Sequence, residues 1–214
     1  MIYLDSNSSA KLRLSAQEAI EDYLRCEKSL GNASSVHAHG RNSRKIIRQA
    51  RRSLAELIRF GDTNHSEPEF DIVFTSGGTE SCNLLVHGFI GRERRKHPGH
   101  IICSAIEHHA MLESVRDLEN CGWDVSYLRP ESDGRLSPAT IFSALRQNTA
   151  LVSCMSANNE TGALQEVAII AKGLRESGYQ GPIVSDFTQS MGKSRSSPAH
   201  FFEAGGNGCR GICT

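Results

Sequence analysis

The sequence lacks long apolar runs, an excess of charge and any C-x-x-C pair of cysteines. No apolar run approaches the roughly 20 residues of a transmembrane helix. The N-terminal stretch MIYLDSNSSAKL carries an acid and no basic region, so we expect no signal peptide. The formal net charge is +0, which gives no general attraction to nucleic acid or anionic lipid. We therefore expect a cytoplasmic protein that binds neither nucleic acid nor membrane.

The seven cysteines are scattered along the chain without C-x-x-C spacing. This pattern is typical of buried thiols in a reducing compartment, rather than of a disulfide scaffold or a zinc site. We therefore expect no bound metal. With 38% hydrophobic and 22% charged residues in 214, the composition predicts a globular protein with one large domain, with or without a small annex.

Apolar periodicity predicts two N-terminal helices followed by alternating strands and helices. The two helices are predicted at residues 15–26 and 39–60. The predicted strands that follow are 70–76, 100–105, 123–128, 149–157 and 182–187, separated by helices at 77–95, 108–122, 137–147 and 164–178. This alternation predicts an α/β fold with a mostly parallel sheet covered by helices on both faces. Beyond a short helical pattern at 200–204, we predict no further strand among the glycines and cysteines.

Polar residues follow four of the predicted strands, where ligands bind in open α/β sheets. Gly78 and Thr79 open a helix and suit an anion, because a helix N-terminus offers free N–H groups and a positive dipole end. The alternative is an ordinary strand-to-helix turn. His108 can stack on an aromatic ring or transfer a proton, or it can be a purely structural histidine.

Two further predicted strands are followed by polar residues, and each of these suits either a ligand contact or a local structural role. Asn159 belongs to an Asn-Asn pair that is also typical of a turn. Asp186 ends the last predicted strand, where it suits a ligand or a helix N-cap, and Gln189 follows three residues later. Together, a phosphate cradle, a histidine, a carboxamide and a carboxylate describe a site for a phosphorylated heteroaromatic cofactor. A carboxylate beside a pyridine nitrogen keeps it protonated, which is the chemistry of pyridoxal phosphate.

Six ordered stretches between Ile2 and Lys193 resemble a known family. They are IYLDSNSSA, GNASSVHAHGR, FTSGGTESCNL, HIICSAIEHHAML, TALVSCMSANNETGALQ and SDFTQSMGK. They resemble the class V aminotransferases, and within them the NifS/IscS-type cysteine desulfurases and the related selenocysteine lyases. The resemblance implies the type I fold of pyridoxal-phosphate enzymes, with a large domain, a small C-terminal domain and a homodimer.

The resemblance also implies a role for each candidate residue. By position, Gly78 and Thr79 hold the phosphate, His108 stacks on the ring and transfers protons, Asn159 lies beside ring and substrate, Asp186 pairs with the ring nitrogen, and Gln189 bonds the phenolic oxygen. The implied reaction converts L-cysteine into L-alanine and an enzyme persulfide, with sulfur passed to an acceptor or an iron–sulfur scaffold protein. Selenocysteine is the alternative substrate.

The end of the sequence departs from the family pattern. The family's cofactor-bonding lysine lies in a Ser-x-His-Lys motif, whereas this chain reads GGNGCRGICT there and has no lysine after Lys193. None of the seven cysteines takes the place of the family's nucleophile. We therefore expect a C-terminally truncated chain, with a partial large domain at 1–206, an atypical tail at 207–214, no small domain and little activity. The alternative is a non-catalytic module that binds the cofactor or a partner.

Overall fold

A computed structural model describes six stretches of the chain. They are residues 2–26, 30–58, 72–90, 98–193, 198–205 and 209–212. The chain divides into two compact units, Met1–Val73 and Phe74–Thr214.

The first unit contains two helices, as the apolar periodicity predicts. They are α1, Leu14–Arg25, and α2, Ala38–Ile58. The loop before α2 packs tightly on its first turn: a Cβ at Gly40 would lie 2.4 Å from the Ser35 carbonyl oxygen. Arg44 Nε donates to the Ala33 carbonyl oxygen at 2.8 Å. The GNASSVH part of GNASSVHAHGR is therefore a loop anchored on the start of α2, and the rest is the first turn of that helix.

The second unit is a three-layer α/β structure. Its helices are α3, Gly78–Ile90; α4, His109–Asn120; α5, Pro138–Ser143; α6, Val167–Glu176; and α7, Pro198–Gly205. Its strands are β1, His100–Ser104; β2, Asp124–Leu128; β3, Thr149–Ser153; β4, Ile183–Asp186; and β5, Cys209–Ile212. The strands lie in the order β2-β1-β3-β4-β5, and every pair is parallel. The parallel α/β fold predicted from the sequence is confirmed.

Apolar residues cover both faces of this sheet. On one face, α3 and α4 bury Val86 and Met111 against Ile101 and Leu151 of the central strands. A second cluster fills the other face, where α5, α6 and α7 pack on the sheet; its members include Ile141, Ile170, Leu174 and Phe201 from the helices and Ile102, Val152 and Ile183 from the strands. Because both faces are buried, the strand sequences read as near-continuous apolar runs.

The predicted strand at 70–76 is wrong in the part that the structure describes. Residues 72–75 have no regular secondary structure and 76 lies in a bend. Val73 is 65% exposed and Phe74 is 49% exposed. A β-branched and aromatic run favours extended backbone, but a strand also needs a neighbour to pair its N–H and C=O groups, and no described strand pairs with this segment.

The prediction that no strand follows residues 200–204 is also wrong. β5 pairs with β4 from Ile183↔Cys209 to Asp186↔Ile212, and both Cys209 and Ile212 are buried. Gly211, which weakens the sequence pattern of a strand, has a packing reason. A Cβ there would lie 3.0 Å from the Phe202 ring, tighter than ordinary contact.

Candidate functional site

The topology of the sheet identifies the edge at which a ligand binds. From β1 the chain adds β2 on one side and then returns to place β3 on the other side. The segments that follow β1 and β3 therefore diverge, and such a switch point at the carboxyl ends of parallel strands is where open α/β sheets bind ligands. The loop 105–108 and the loop 154–162 lie there, and β4 ends beside them.

His108, the first candidate residue, ends the loop after β1. It is the N-cap of α4, and its Nδ1 accepts a hydrogen bond from the Ala110 N–H at 3.2 Å. Because Nδ1 acts as the acceptor, a neutral ring carries its proton on Nε2. The side chain is exposed, so the Nε2 edge is available to a ligand.

Glu107, the residue before His108, was given no role by the sequence. It is 5% exposed, and its Oε1 accepts a hydrogen bond from the Met155 N–H at 2.6 Å. Within the described residues, Oε2 and the neighbouring Ser153 hydroxyl make no hydrogen bond of regular geometry, but they lie close enough for the hydroxyl to lower the pKa of Glu107. Burial, and then the negative charge of Asp186, raise the pKa of Glu107 to about 8. The only sequence signal for this residue is an acid placed between an apolar strand and a histidine.

Asn158 organises the loop after β3. Asn158 is 7% exposed, and its Oδ1 accepts from the N–H groups of Glu160 and Thr161 at 3.0 and 2.8 Å. Its Nδ2 donates to the Ile106 carbonyl oxygen at 2.9 Å, which joins the two loops of the switch point. Asn159 itself is half-buried in the turn. The sequence predicted Asn159 as a ligand contact and missed the structural role of Asn158.

Asp186 and Gln189 lie at the end of β4 and on the turn that follows. Asp186 is 8% exposed, and its Oδ1 accepts from the Thr188 N–H at 2.8 Å. Gln189 is half-buried, and its Oε1 accepts from Lys193 Nζ at 2.8 Å. The turn therefore holds a carboxylate and a carboxamide beside the switch point.

Two buried serines tie this turn to the loop after β3. The hydroxyls of Ser156 and Ser190 are hydrogen-bonded to each other. The Ser156 N–H and hydroxyl both donate to the Asp186 carbonyl oxygen, at 2.9 and 3.1 Å. Ser156, in the loop after β3, thus holds the backbone of Asp186 in place.

The start of α3 supplies the remaining candidates, Gly78 and Thr79. The first N–H groups of a helix have no acceptor within it, and Thr79 is exposed. A Cβ at Gly77 would meet no heavy atom within 4 Å, so there is open space before the helix. The Glu80 carboxylate accepts from the Ser76 N–H at 2.6 Å, which lowers the pKa of Glu80.

Packing indicates that α3 begins close to the same edge of the sheet, because Cys82 lies in one apolar cluster with Cys103 of β1 and Val184 of β4. Burial, and then the charges of Asp186 and Glu107, raise the pKa of the Cys82 thiol to about 12. Cys82 lies four residues after Gly78, so the two residues share a face of α3. The structure therefore brings the start of α3, the loops after β1 and β3 and the end of β4 to one place.

Metal and membrane roles receive no support from the described residues. Among them, no group of three or more His, Cys, Asp or Glu side chains could hold a metal ion. No helix in the described stretches is long and apolar enough to cross a bilayer.

The fold and the site define a class: a doubly wound α/β unit with polar loops at the switch point. The profile of the aminotransferase class-V family matches residues 2–201. The chain therefore belongs to the aminotransferase class-V family.

Individual relatives show how much of the family's length the chain spans. It is 37% identical over 193 residues to cysteine desulfurase IscS of Azotobacter vinelandii, covering 90% of this chain and 45% of that protein. A NifS-like protein superposes with a TM-score of 0.80 at 29% identity, covering 92% of this chain and 52% of that one. SspA in complex with cysteine gives a TM-score of 0.75 at 32% identity, with 88% and 51% covered. The chain spans about half the length of the curated relatives it matches.

The residues at the site fit pyridoxal phosphate, the cofactor on which this family in general depends. The helix N-terminus at Gly78 and the exposed Thr79 follow the open space at Gly77 and suit a phosphate. Asp186 is a buried carboxylate that suits a protonated pyridine nitrogen. These residues therefore suit both the phosphate and the pyridine nitrogen of the cofactor.

Proposed function

We propose that this chain forms the pyridoxal-phosphate site of a cysteine desulfurase, an enzyme that converts L-cysteine into L-alanine and an enzyme persulfide. The observation that carries the proposal is the arrangement of polar groups after three adjacent parallel strands. His108 follows β1, Asn159 follows β3, and Asp186 ends β4. Family membership and the similarity to proteins named cysteine desulfurase support the same reaction.

Each candidate residue has a role in this proposal. Gly78 and Thr79 bind the phosphate through N–H groups and a hydroxyl. His108 stacks on the ring and moves a proton at Nε2, because Nδ1 already accepts from the backbone. The cofactor, when bound, supplies an electron sink for the carbon that loses its proton.

Two contacts are proposed to complete the orientation of the ring. Asp186 holds the proton on the ring nitrogen, and Gln189 binds the phenolic oxygen. Asn159 lies beside ring and substrate. Because Gln189 Oε1 accepts from Lys193, we expect the amide nitrogen of Gln189 to be the donor to the phenolic oxygen.

The substrate and partners of the whole protein belong to the same proposal. We propose L-cysteine as substrate, with sulfur passed to an acceptor or iron–sulfur scaffold protein, and a homodimer in the cytoplasm. The structure of SspA, a similar protein, was solved with cysteine. Selenocysteine is the alternative substrate. Because little turnover is expected of this chain, the affinities of the cofactor-loaded chain for the two amino acids decide between them.

The first test is cofactor binding by the 214-residue chain. Titration with pyridoxal phosphate, followed by absorbance and fluorescence, should give saturable binding. Asp186→Asn removes a charge-assisted interaction of about 1.5–3 kcal/mol, so we expect binding roughly ten- to a hundredfold weaker. Absence of saturable binding, or unchanged binding by Asp186→Asn, contradicts the proposal.

A matched pair of variants tests the phosphate end. Thr79→Val should weaken pyridoxal phosphate about tenfold at most, because one neutral hydrogen bond is lost. It should leave pyridoxal, which has no phosphate, unaffected. Thr140→Val, at another exposed threonine on α5, is the control and should change neither affinity. Equal weakening of both ligands by Thr79→Val argues against a phosphate contact.

A further inference from the structure

Glu107 is a buried acid at the switch point that the proposed chemistry does not use. Its Oε1 accepts from the Met155 N–H at 2.6 Å. Oε2 is buried, and the Ser153 hydroxyl is the polar group near it among the described residues; this hydroxyl lowers the pKa of Glu107, although its geometry falls short of a regular hydrogen bond. Asn158 Nδ2 makes a second connection, to the Ile106 carbonyl oxygen, at 2.9 Å. Glu107 and Asn158 therefore join the loop that ends in His108 to the loop that contains Asn159.

The surroundings of Glu107 are those of a neutral acid. The groups that interact electrostatically with it come from every neighbouring element: Cys82 of α3, Cys103 of β1, Cys154 after β3, and Asp186 of β4. None of these groups is a cation. A buried carboxylate without a cationic partner is costly, and a second carboxylate close by makes ionisation of both unfavourable.

We propose that Glu107 is a positioning residue that works as a neutral carboxylic acid, fastening the His108 loop to the Asn159 loop. By remaining neutral, it also leaves Asp186 as the negative charge at this edge of the sheet. This inference rests on the proposed cofactor site, which gives the two loops their importance. The pKa of Glu107 agrees with a neutral acid, because burial and the charge of Asp186 raise it to about 8.

The sign of the pH effect on stability follows from this raised pKa. As pH rises above the ordinary value of 4.5, the unfolded chain loses the proton of Glu107, whereas the folded chain keeps it to about pH 8. The folded chain therefore binds more protons in this window, and its stability falls as pH rises. The three thiols titrate above the window, because burial raises the pKa of Cys103 and Cys154 well above 9 and that of Cys82 to about 12.

The experiment compares three variants of the 214-residue chain without cofactor. Glu107→Gln keeps the shape and an acceptor for the Met155 N–H, Glu107→Ala removes both, and Glu131→Gln at an exposed position is the control. Urea unfolding between pH 6.5 and pH 8, above the range in which the buried His100 has the opposite effect, should show a falling midpoint for the wild type and the control. The Glu107→Gln midpoint should fall less, because the variant lacks the titrating acid while keeping Asp186.

Amide exchange and cofactor binding complete the test. The Met155 amide, followed by NMR, should exchange about tenfold faster in Glu107→Ala and near the wild-type rate in Glu107→Gln. Affinity for pyridoxal phosphate at pH 7 should fall about tenfold in Glu107→Ala and be restored in Glu107→Gln. Between pH 7 and pH 9, the affinity for pyridoxal phosphate should fall more in the wild type than in Glu107→Gln. The change in Glu107→Gln measures the part that comes from the titration of the cofactor itself.

Two results would overturn this role of Glu107. One is a pair of parallel pH profiles for the wild type and Glu107→Gln, and the other is an unchanged Met155 exchange rate in Glu107→Ala. If Glu107→Ala does not fold, the profile of Glu107→Gln decides alone. If the wild type binds no pyridoxal phosphate, the proposed function fails, but the pH profiles and the Met155 exchange still decide whether Glu107 is a neutral fastening acid.

Discussion

Replacement of Asn158 by alanine is the most direct test of how the loop after β3 is held. Asn158 Oδ1 accepts three hydrogen bonds, from the Glu160 N–H and from the N–H and hydroxyl of Thr161, at 2.8–3.1 Å. Nδ2 donates to the Ile106 carbonyl oxygen at 2.9 Å. The alanine variant loses all four interactions, whereas Asn158→Asp keeps the acceptors and loses the donor.

The expected magnitude follows from this count. A typical intramolecular hydrogen bond contributes about 0.5–1.5 kcal/mol net, so the loss of four should destabilise the closed loop by about 2–6 kcal/mol in Asn158→Ala. Local opening controls amide exchange, so exchange of the Glu160 and Thr161 amides should accelerate at least about tenfold. In Asn158→Asp the carboxylate still accepts from both amides, but it faces the Ile106 carbonyl oxygen, and an unpaired buried acceptor costs about 1–3 kcal/mol.

The two variants separate the roles of the two ends of the side chain. Amide exchange by NMR should show rapid exchange at Glu160 and Thr161 in Asn158→Ala and near wild-type protection in Asn158→Asp. Urea unfolding should show lower stability for both. Unchanged exchange in Asn158→Ala, or equally rapid exchange in both variants, would refute the idea that Oδ1 of Asn158 holds this loop.

Two further predictions concern stability away from the candidate site. His100 is fully buried between the hydroxyls of Thr149 and Ser126, each 2.9 Å from a ring nitrogen, and burial lowers its pKa. The unfolded chain therefore takes up the proton first, so the free energy of unfolding should fall as pH drops below about 6.5. Urea unfolding should show a shallower fall for His100→Gln, and equal pH slopes for this variant and the wild type would contradict the prediction. Gly40→Ala should lower the unfolding free energy by about 1–3 kcal/mol, because its Cβ would clash with backbone carbonyls. Gly88→Ala has open space around it in a helix and should raise the unfolding free energy by up to about 1 kcal/mol. Equal urea midpoints for the two variants would contradict the clash at Gly40.

The parallel sheet could be predicted because burial on both faces leaves a strong signal in the sequence. β1 was predicted at 100–105 and is His100–Ser104, and β4 was predicted at 182–187 and is Ile183–Asp186. The errors at 72–76 and at β5 have one cause. A strand exists only when a neighbour pairs with it, and neither a run such as DIVF nor a glycine-containing stretch such as CRGI shows whether that neighbour exists.

Of the candidate site, only residues that lie at the end of a strand or directly after it could be predicted from the sequence. His108 and Asp186 were found because the carboxyl ends of parallel strands meet at one edge. The bond between Glu107 and Met155 joins residues 48 positions apart, and the bond between Asn158 and Ile106 joins residues 52 positions apart. Such pairings depend on the register of β1 against β3, which no local pattern encodes.

The two loops at the switch point share an arrangement that explains why the first prediction concerns Asn158 and not Asn159. Beyond the ends of β1 and β3 the strands diverge, so the backbone groups of the loops lose their partners in the sheet. Glu107 and Asn158 replace those partners, since one accepts from a backbone N–H and the other donates to a backbone carbonyl.

The next residue in each loop, His108 or Asn159, is left more exposed at the site. Each adjacent pair thus combines a buried residue that holds the loop with a more exposed neighbour. Substitution of the buried member should therefore change amide exchange without any ligand present. Substitution of its neighbour by alanine should act chiefly on cofactor binding.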